Sequence, residues 1–326
     1  MEQDQLPVKK GPFQRLKMTL GVVALIIIAA CSKVDSSGSE ATRVSADNKI
    51  SIVTTIGMIT DIVQAVGGEE VEVNGLMGPG VDPHLYKASH GDMERMDQAD
   101  IIFYGGLHLE GKLNDIFKKL GNQKPVAAVS QNIDKAVLRS GQDTGGTEFD
   151  PHIWFNVKHW ISATETVRDV LIKYDQANAE LYRNNAADYI KDLEKLDTEV
   201  KEKIALIPEQ SRVLVTAHDA FGYFGDAYGM KVMGLQGIST AAEYGSKDVS
   251  NLRDYLIDNK IKAVFVESSI PTKSMEAVIA GAKQLGHEVK IGGELYSDSL
   301  GELGSDADTY IKMVQHNVNT IVGALK

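Results

Sequence analysis

The sequence predicts an α/β protein of two lobes, each a parallel sheet flanked by helices, joined by a single long helix. Three observations carry this expectation. From Lys49 onward, short β-rich runs alternate with helical patterns, which argues for parallel sheets covered on both faces. Several segments of the first half recur in order in the second, at offsets of 162 or 159 residues. Between the halves, apolar residues repeat at three- and four-residue steps without interruption, the period of one amphipathic helix.

The elements follow in chain order. Residues 1–17 carry Lys9, Lys10, Arg15 and Lys17, and residues 18–30 are almost unbroken apolar sequence ending in Ile28, Ala29 and Ala30. A basic flank, a short apolar core and small residues at its end read as an export signal, residues 1–30. The 13 residues from 18 to 30 are too few for a bilayer core, which needs roughly 20. Cys31 is the only cysteine, so an internal disulfide and a cysteine-based metal site are both excluded. Its position resembles the bacterial lipobox, in which cleavage leaves a diacylated N-terminal cysteine. An acylated Cys31 implies an extracytoplasmic protein tethered to a bacterial cell membrane, with a soluble body. Residues 31–48 are polar and aperiodic and read as a flexible tether. Removing residues 1–30 takes away four Lys/Arg and two Asp/Glu, so the net charge moves from −11 to −13. Such a surface disfavours nucleic acid and mildly favours cations, although solubility explains it equally well.

The first lobe, residues 49–174, begins with a strand over 50–55 and a helix over 58–66, followed by strands over 71–76, 99–104 and 126–129. The linking helix, 175–208, carries Tyr182, Ala186, Tyr189, Leu193, Leu196, Val200, Ile204 and Ile207 on one stripe, with Asp175 as its N-cap and Pro208 as its stop. About thirty helical residues span about 45 Å, a stiff spine that argues against large closure of the lobes. In the second lobe, 209–326, Val215-Thr216 answers to Val53-Thr54, and residues 263–266 answer to 101–104.

Four residues stand at the ends of strand-like runs. His84 and His152 each follow Asp-Pro, in Asp82-Pro83-His84 and Asp150-Pro151-His152, with Tyr86 and Trp154 two residues on. His218 follows the run 212–216, and Asp298 follows a run ending at Leu295. In open parallel sheets, ligands gather at the C-terminal strand ends, and these residues come two from each lobe. Three imidazoles and a carboxylate suffice to surround a divalent metal. The prolines restrict the backbone ahead of both histidines. Asp82 and Asp150 read as turn formers or as acceptors behind the imidazoles, a role Asp219 could fill for His218. Glu243 and Glu267 are candidates for bonds between lobes or behind a ligand, and a plain surface role is equally open. Of the other histidines, His90 and His159 lie in polar helical stretches, His287 in a turn and His316 on the last helix; His108, after a strand, is the strongest competitor.

These stretches resemble the TroA/ZnuA-like class of solute-binding lipoproteins, the substrate-binding components of zinc and manganese ABC importers. The matching segments include 53–58, 75–86, 149–154, 214–224, 266–271 and 292–298, in order over residues 49–326, and the likeness is greatest to the TroA type. The resemblance implies two lobes on one long helix and assigns His84, His152, His218 and Asp298 as metal ligands. It implies an ABC permease and its ATPase as partners, and a monomer. In the manganese-dedicated relatives a glutamate replaces His218, and many zinc relatives carry a His-rich loop where this chain has residues 141–148 without histidine. The chain matches neither specialised pattern. Its donor set suits Zn²⁺ first, with Mn²⁺ close behind and Fe²⁺ acceptable should Asp298 bind through both oxygens.

Four protein ligands leave no position for an activated water, whereas a hydrolytic zinc centre keeps one open. No HExxH, Walker or GxSxG motif occurs. Cargo binding without enzymatic activity is therefore expected; the alternatives are a zinc-dependent hydrolase or a surface adhesin with a structural metal. Protonation of the histidines is expected to weaken metal binding below roughly pH 6.

Overall fold

The computed structural model describes residues 49–141 and 149–326. The export signal, the tether and Cys31 lie outside the described residues. The first lobe runs β1 (Ile50–Thr54), α1 (Gly57–Gly67), β2 (Val71–Gly75), α2 (His90–Gln98), β3 (Ile101–Tyr104), α3 (Asn114–Leu120), β4 (Val126–Ala128) and α4 (Val157–Tyr174). Its four strands are all parallel, in the order β2-β1-β3-β4. β1 and β3 are the central pair, and their apolar residues Ile52, Val53, Ile101, Ile102 and Phe103 are buried, as expected of strands covered on both faces. A capping box starts α2, with Ser89 and Asp92 each accepting the other's backbone N–H.

α5 (Ala179–Ile204) is the linking helix, and its 26 residues span about 39 Å. It starts later than Asp175 would place it. Asp175 closes α4 and caps a single 3₁₀ turn, Gln176–Asn178, accepting from the Ala177 N–H at 3.2 Å. Its other oxygen accepts from the Tyr182 hydroxyl at 2.8 Å, so the carboxylate pins the corner between two helices instead of opening one. The predicted stripe is otherwise the buried face, with Tyr182, Ala186, Leu193, Leu196, Val200 and Ile204 inside.

The second lobe comprises β5 (Val213–His218), α6 (Gly222–Tyr228), β6 (Lys231–Gln236), α7 (Ser246–Asp258), β7 (Ala263–Glu267), α8 (Lys273–Gln284), β8 (Lys290–Leu295) and α9 (Tyr310–Leu325). β5 pairs with β6 and β7 with β8, both parallel, and β5 lies beside β7. The expected single sheet of this lobe is thus two hydrogen-bonded pairs, packed side by side through β5 and β7; the strands lie in the order β6-β5-β7-β8, that of the first lobe shifted by four strand numbers, which matches the internal repeat. α9 lies so close on β8 that a Cβ at Gly292 would stand 2.8 Å from the Ala324 Cβ and from the Phe265 ring.

Among the described residues, one apolar core runs through both lobes. Ile52 and Phe103 of the first sheet, Leu193 and Val200 of α5, Phe221 and Phe224 beside and within α6, and Tyr310 and Ile321 of α9 belong to a single buried cluster. A second cluster, including Val215, Leu252, Val264 and Met275, fills the far side of the second lobe under α7 and α8. The lobes therefore share close-packed side chains along the spine, and such interiors resist gradual deformation.

Candidate metal centre

Local chemistry shapes both Asp-Pro-His turns. Asp82 Oδ1 accepts from the His84 N–H at 2.9 Å, and Asp150 Oδ1 from the His152 N–H at 3.0 Å. Each is an Asx turn that folds the chain back two residues on, with the intervening proline restricting the path. Asp150 Oδ1 also accepts from the His152 ring at Nδ1, 2.8 Å away. His218 is the last residue of β5, and Glu267 the last of β7. At the ends of these two neighbouring strands, Glu267 Oε1 accepts from the His218 N–H at 2.8 Å and Oε2 from ring Nδ1 at 2.5 Å. With Nδ1–H donated to a carboxylate, Nε2 of His152 and of His218 carries the free lone pair. Asp298 lies in the segment after β8, between Ser297 and Ser299.

The structure brings these four side chains together. His152 Nε2 is 3.2 Å from His84 Nε2 and 3.3 Å from His218 Nε2. Asp298 Oδ1 is 3.5 Å from His152 Nε2, and Oδ2 is 3.3 Å from His218 Nε2 and 3.8 Å from His84 Nε2. A tetrahedron with arms of about 2.0 Å, the zinc–imidazole length, has edges of about 3.3 Å. The shortest separations match such an edge, and the four ligand atoms all lie within 4.8 Å of one another, close enough to share one ion. All four residues are buried, with His84 the most accessible at 3 %.

Both oxygens of Asp298 are buried without a hydrogen-bond partner, an arrangement that costs several kcal/mol unless a cation compensates it. The imidazoles respond unequally. Burial pushes His84 down to about 3, with the other two imidazoles adding to the effect and Asp298 opposing it. Burial also works against a proton on His218, but Glu267 and Asp298 together overcome it and hold this ring well above the usual range. Asp298 is driven the other way: burial favours its neutral form, and the neighbouring imidazoles, His218 foremost, outweigh that and hold it ionised. Glu267 is what separates two otherwise similar histidines. The two carboxylates beside His218 therefore favour its charged form when no metal is bound.

The remaining sequence candidates take other positions. His108 sits at φ +70° and is exposed, its Nδ1 3.1 Å from the Asn114 amide. His90 pairs with Glu94, His316 with Asp306, and His287 Nε2 lies 2.6 Å from the Ile261 carbonyl. His159 is buried against the Tyr223 ring. Asp219 is not the acceptor behind His218; Glu267 has that place. Glu243 is exposed. The sequence gives no signal for Thr240, whose hydroxyl donates to Asp82 Oδ2 at 2.6 Å, nor for Ser299, whose Oγ accepts from the Gly80 N–H at 3.0 Å. These two bonds join the His84 turn to the second lobe. On the other side of the donors the lobes meet through Trp154, which donates from Nε1 to the Ser297 carbonyl at 2.9 Å and accepts from the Tyr310 hydroxyl at its own carbonyl, 2.7 Å.

The sequence profile of the family described as "Zinc-uptake complex component A periplasmic" matches residues 52–324. The chain belongs to this family. The manganese-binding lipoprotein MntA of Bacillus subtilis is 48% identical over 309 residues, covering 95% of this chain and all of that protein. The zinc-binding protein TroA of Treponema pallidum is 46% identical over 281 residues, covering 86% of this chain and 90% of its own. The solved structure of TroA from that organism superposes with a TM-score of 0.83 over 85% of this chain and 99% of the other. Two family members of nearly equal similarity thus carry different metals in their names, and overall likeness does not choose between the two ions. The α/β architecture with parallel sheets and a long connecting helix is that of the TroA-type, two-lobed binding proteins.

Proposed function

We propose that the chain is an extracytoplasmic lipoprotein that captures one divalent transition metal between its lobes and delivers it to an ABC permease driven by a separate ATPase. His84, His152, His218 and Asp298 are the ligands in this reading. The observation that supports it most is the cluster of four buried residues whose ligand atoms lie within 4.8 Å of one another, with both oxygens of the carboxylate lacking a hydrogen-bond partner.

The donor set favours zinc. Three imidazoles and a carboxylate suit Zn²⁺, and at a site of given geometry Zn²⁺ outcompetes Mn²⁺ by intrinsic affinity. Both Asp298 oxygens face the histidines, so a carboxylate binding through both would raise the coordination number and admit Mn²⁺ or Fe²⁺. The physiological cargo then follows from which ion is available. Turnover is not expected, since four protein ligands occupy the positions an activated water would need.

Residues 1–30 serve in this reading as the export signal, acylated Cys31 as the anchor and residues 31–48 as the tether. Residues 49–174 and 209–326 form the two jaws on the helical segment 175–208. The shared core along the spine favours exchange of metal by movement of the loops around His84, or a small tilt, over wide opening.

Elemental analysis of protein purified without added metal tests the site. One equivalent of metal is expected per chain, and His218→Ala is expected to lose it. Retention of a full equivalent by that variant would overturn the assignment, and the element found in the parent protein would identify the cargo preference.

A further inference from the structure

The donor ring does not balance its own charge. Asp298 faces the ion space, Asp150 stands behind His152 and Glu267 behind His218, and all three are buried. Three carboxylates around one dication leave an unmatched negative charge. Asp150 Oδ2 has no hydrogen-bond partner, and the Arg139 Nε, also unpartnered, lies 3.6 Å from it. Asp219 interacts with the same carboxylate and guanidinium.

Arg139 is held from the opposite lobe. Its Nη1 donates to Asp226 Oδ2 of α6 at 2.6 Å. Its backbone N–H donates to the Tyr223 hydroxyl at 3.1 Å, and that hydroxyl donates to the Asp150 carbonyl at 3.0 Å. The guanidinium lies in a notch that exists because residue 222 is glycine. A Cβ there would stand 2.5 Å from the Arg139 Nε, 2.8 Å from its Cζ and 3.0 Å from Asp150 Oδ2. A first-lobe side chain is thus seated in the first turn of a second-lobe helix, directly behind the residue that orients His152.

We propose that Arg139 is a positioning residue for metal binding: seated in the Gly222 notch, it fixes Asp150, and through Asp150 the ring of His152. The inference rests on His152 being a metal ligand. It makes the orientation of one ligand depend on the contact between lobes, because the guanidinium reaches Asp150 only while α6 receives it. Gly222→Ala, which leaves every charge in place, and Arg139→Gln, which removes one, should therefore have the same consequence.

The test measures Zn²⁺ affinity of the full mature chain by competition with a chromophoric chelator, and the visible bands of the Co²⁺-loaded protein. Arg139→Gln and Gly222→Ala are each expected to weaken Zn²⁺ binding about tenfold, the low end for outer partners of metal-binding histidines, and to shift the Co²⁺ bands alike. Asp226→Asn, at the exposed end of the ion pair, should weaken binding in the same direction by about twofold to threefold. In an Asp150→Asn background, Arg139→Gln should change affinity less than twofold, since it acts through Asp150; a general packing role would add in full. Unchanged affinity and Co²⁺ bands in Arg139→Gln, or full additivity with Asp150→Asn, would overturn the inference. His152→Ala separates the two readings. If it binds zinc as the parent does, the ligand assignment itself fails; if it loses zinc while Arg139→Gln behaves as the parent, only the role of Arg139 fails.

Discussion

Glu267→Gln is the most exposing perturbation of the site, because it changes one atom and removes none of the proposed ligands. Glu267 accepts twice from His218, at the backbone N–H and at Nδ1. Glutamine offers one acceptor and one donor in the same place, so one N–H of His218 must face another N–H. At a fully buried position an unsatisfied donor costs about 1–3 kcal/mol. The ring can relieve this by moving its proton to Nε2, but then no lone pair points at the ion. Either outcome weakens metal binding, by about tenfold to a hundredfold on the scale of such partners, or about 1.4–2.8 kcal/mol. The consequence is measurable as thermal stabilisation. With free Zn²⁺ at a hundred times the parent Kd, the parent gains about 2.7 kcal/mol, and a variant with that loss of affinity gains only about 0.4–1.4 kcal/mol. Melting with and without Zn²⁺, converted to free energy, reads this difference directly. A variant that keeps the parent's full gain would refute the claim that Glu267 sets the tautomer of His218.

The pH dependence should depart from that of ordinary histidines. His218 is held above its usual 6.5 while His84 is pushed to about 3, so His218 is the proton competitor among these two, and loss of Zn²⁺ affinity should begin above pH 6.5 instead of near pH 6. A raised folded-state value contributes stability that is complete below pH 6.5 and lost as pH rises through the folded value. Metal-free protein should therefore lose stability on going alkaline from pH 6.5, whereas zinc binding gains affinity over the same interval. Melting curves in chelator and chelator-competition titrations across pH 6–9 check the two opposed slopes. Thr240→Val removes the 2.6 Å bond from Thr240 to Asp82, which with the Gly80–Ser299 bond ties the His84 turn to the second lobe. At about 1 kcal/mol per bond, stopped-flow chelation should show zinc leaving about fivefold faster; an unchanged rate would mean that metal does not exit past this turn.

Much of the site was legible in the chain because its signals are local. The two Asp-Pro-His turns are closed by each aspartate on the backbone two residues later, an interaction within the motif itself. His218 and Asp298 were visible as polar residues at the ends of β-rich runs, where a parallel sheet ends. The stripe on α5 showed as a period, and its buried residues are those of the period. The support behind His218 was not legible. Asp219 is adjacent in sequence, yet Glu267, 49 residues away, takes the place because β7 lies beside β5 and both strands end at the same level. Nothing local marks Arg139, whose role depends on a glycine in the other lobe. His108 shows the reverse failure: it follows a strand, as a ligand would, but a left-handed backbone and Asn114 hold it at the surface.

Sequence by itself pointed to four candidate donors and their chemical kind, the stiffness of the turns that carry two of them, and the alternation that yields two similar lobes. Those properties depend on covalent geometry and on neighbours a few residues apart. Only the tertiary structure decided that four candidate donors from distant segments come within 4.8 Å of one another, which ring nitrogen faces the space between them, and that the field there raises His218 while burial lowers His84. These depend on strand order, burial and the summed field of Glu267, Asp298 and the other imidazoles, which exist only once the two lobes are packed on their shared core.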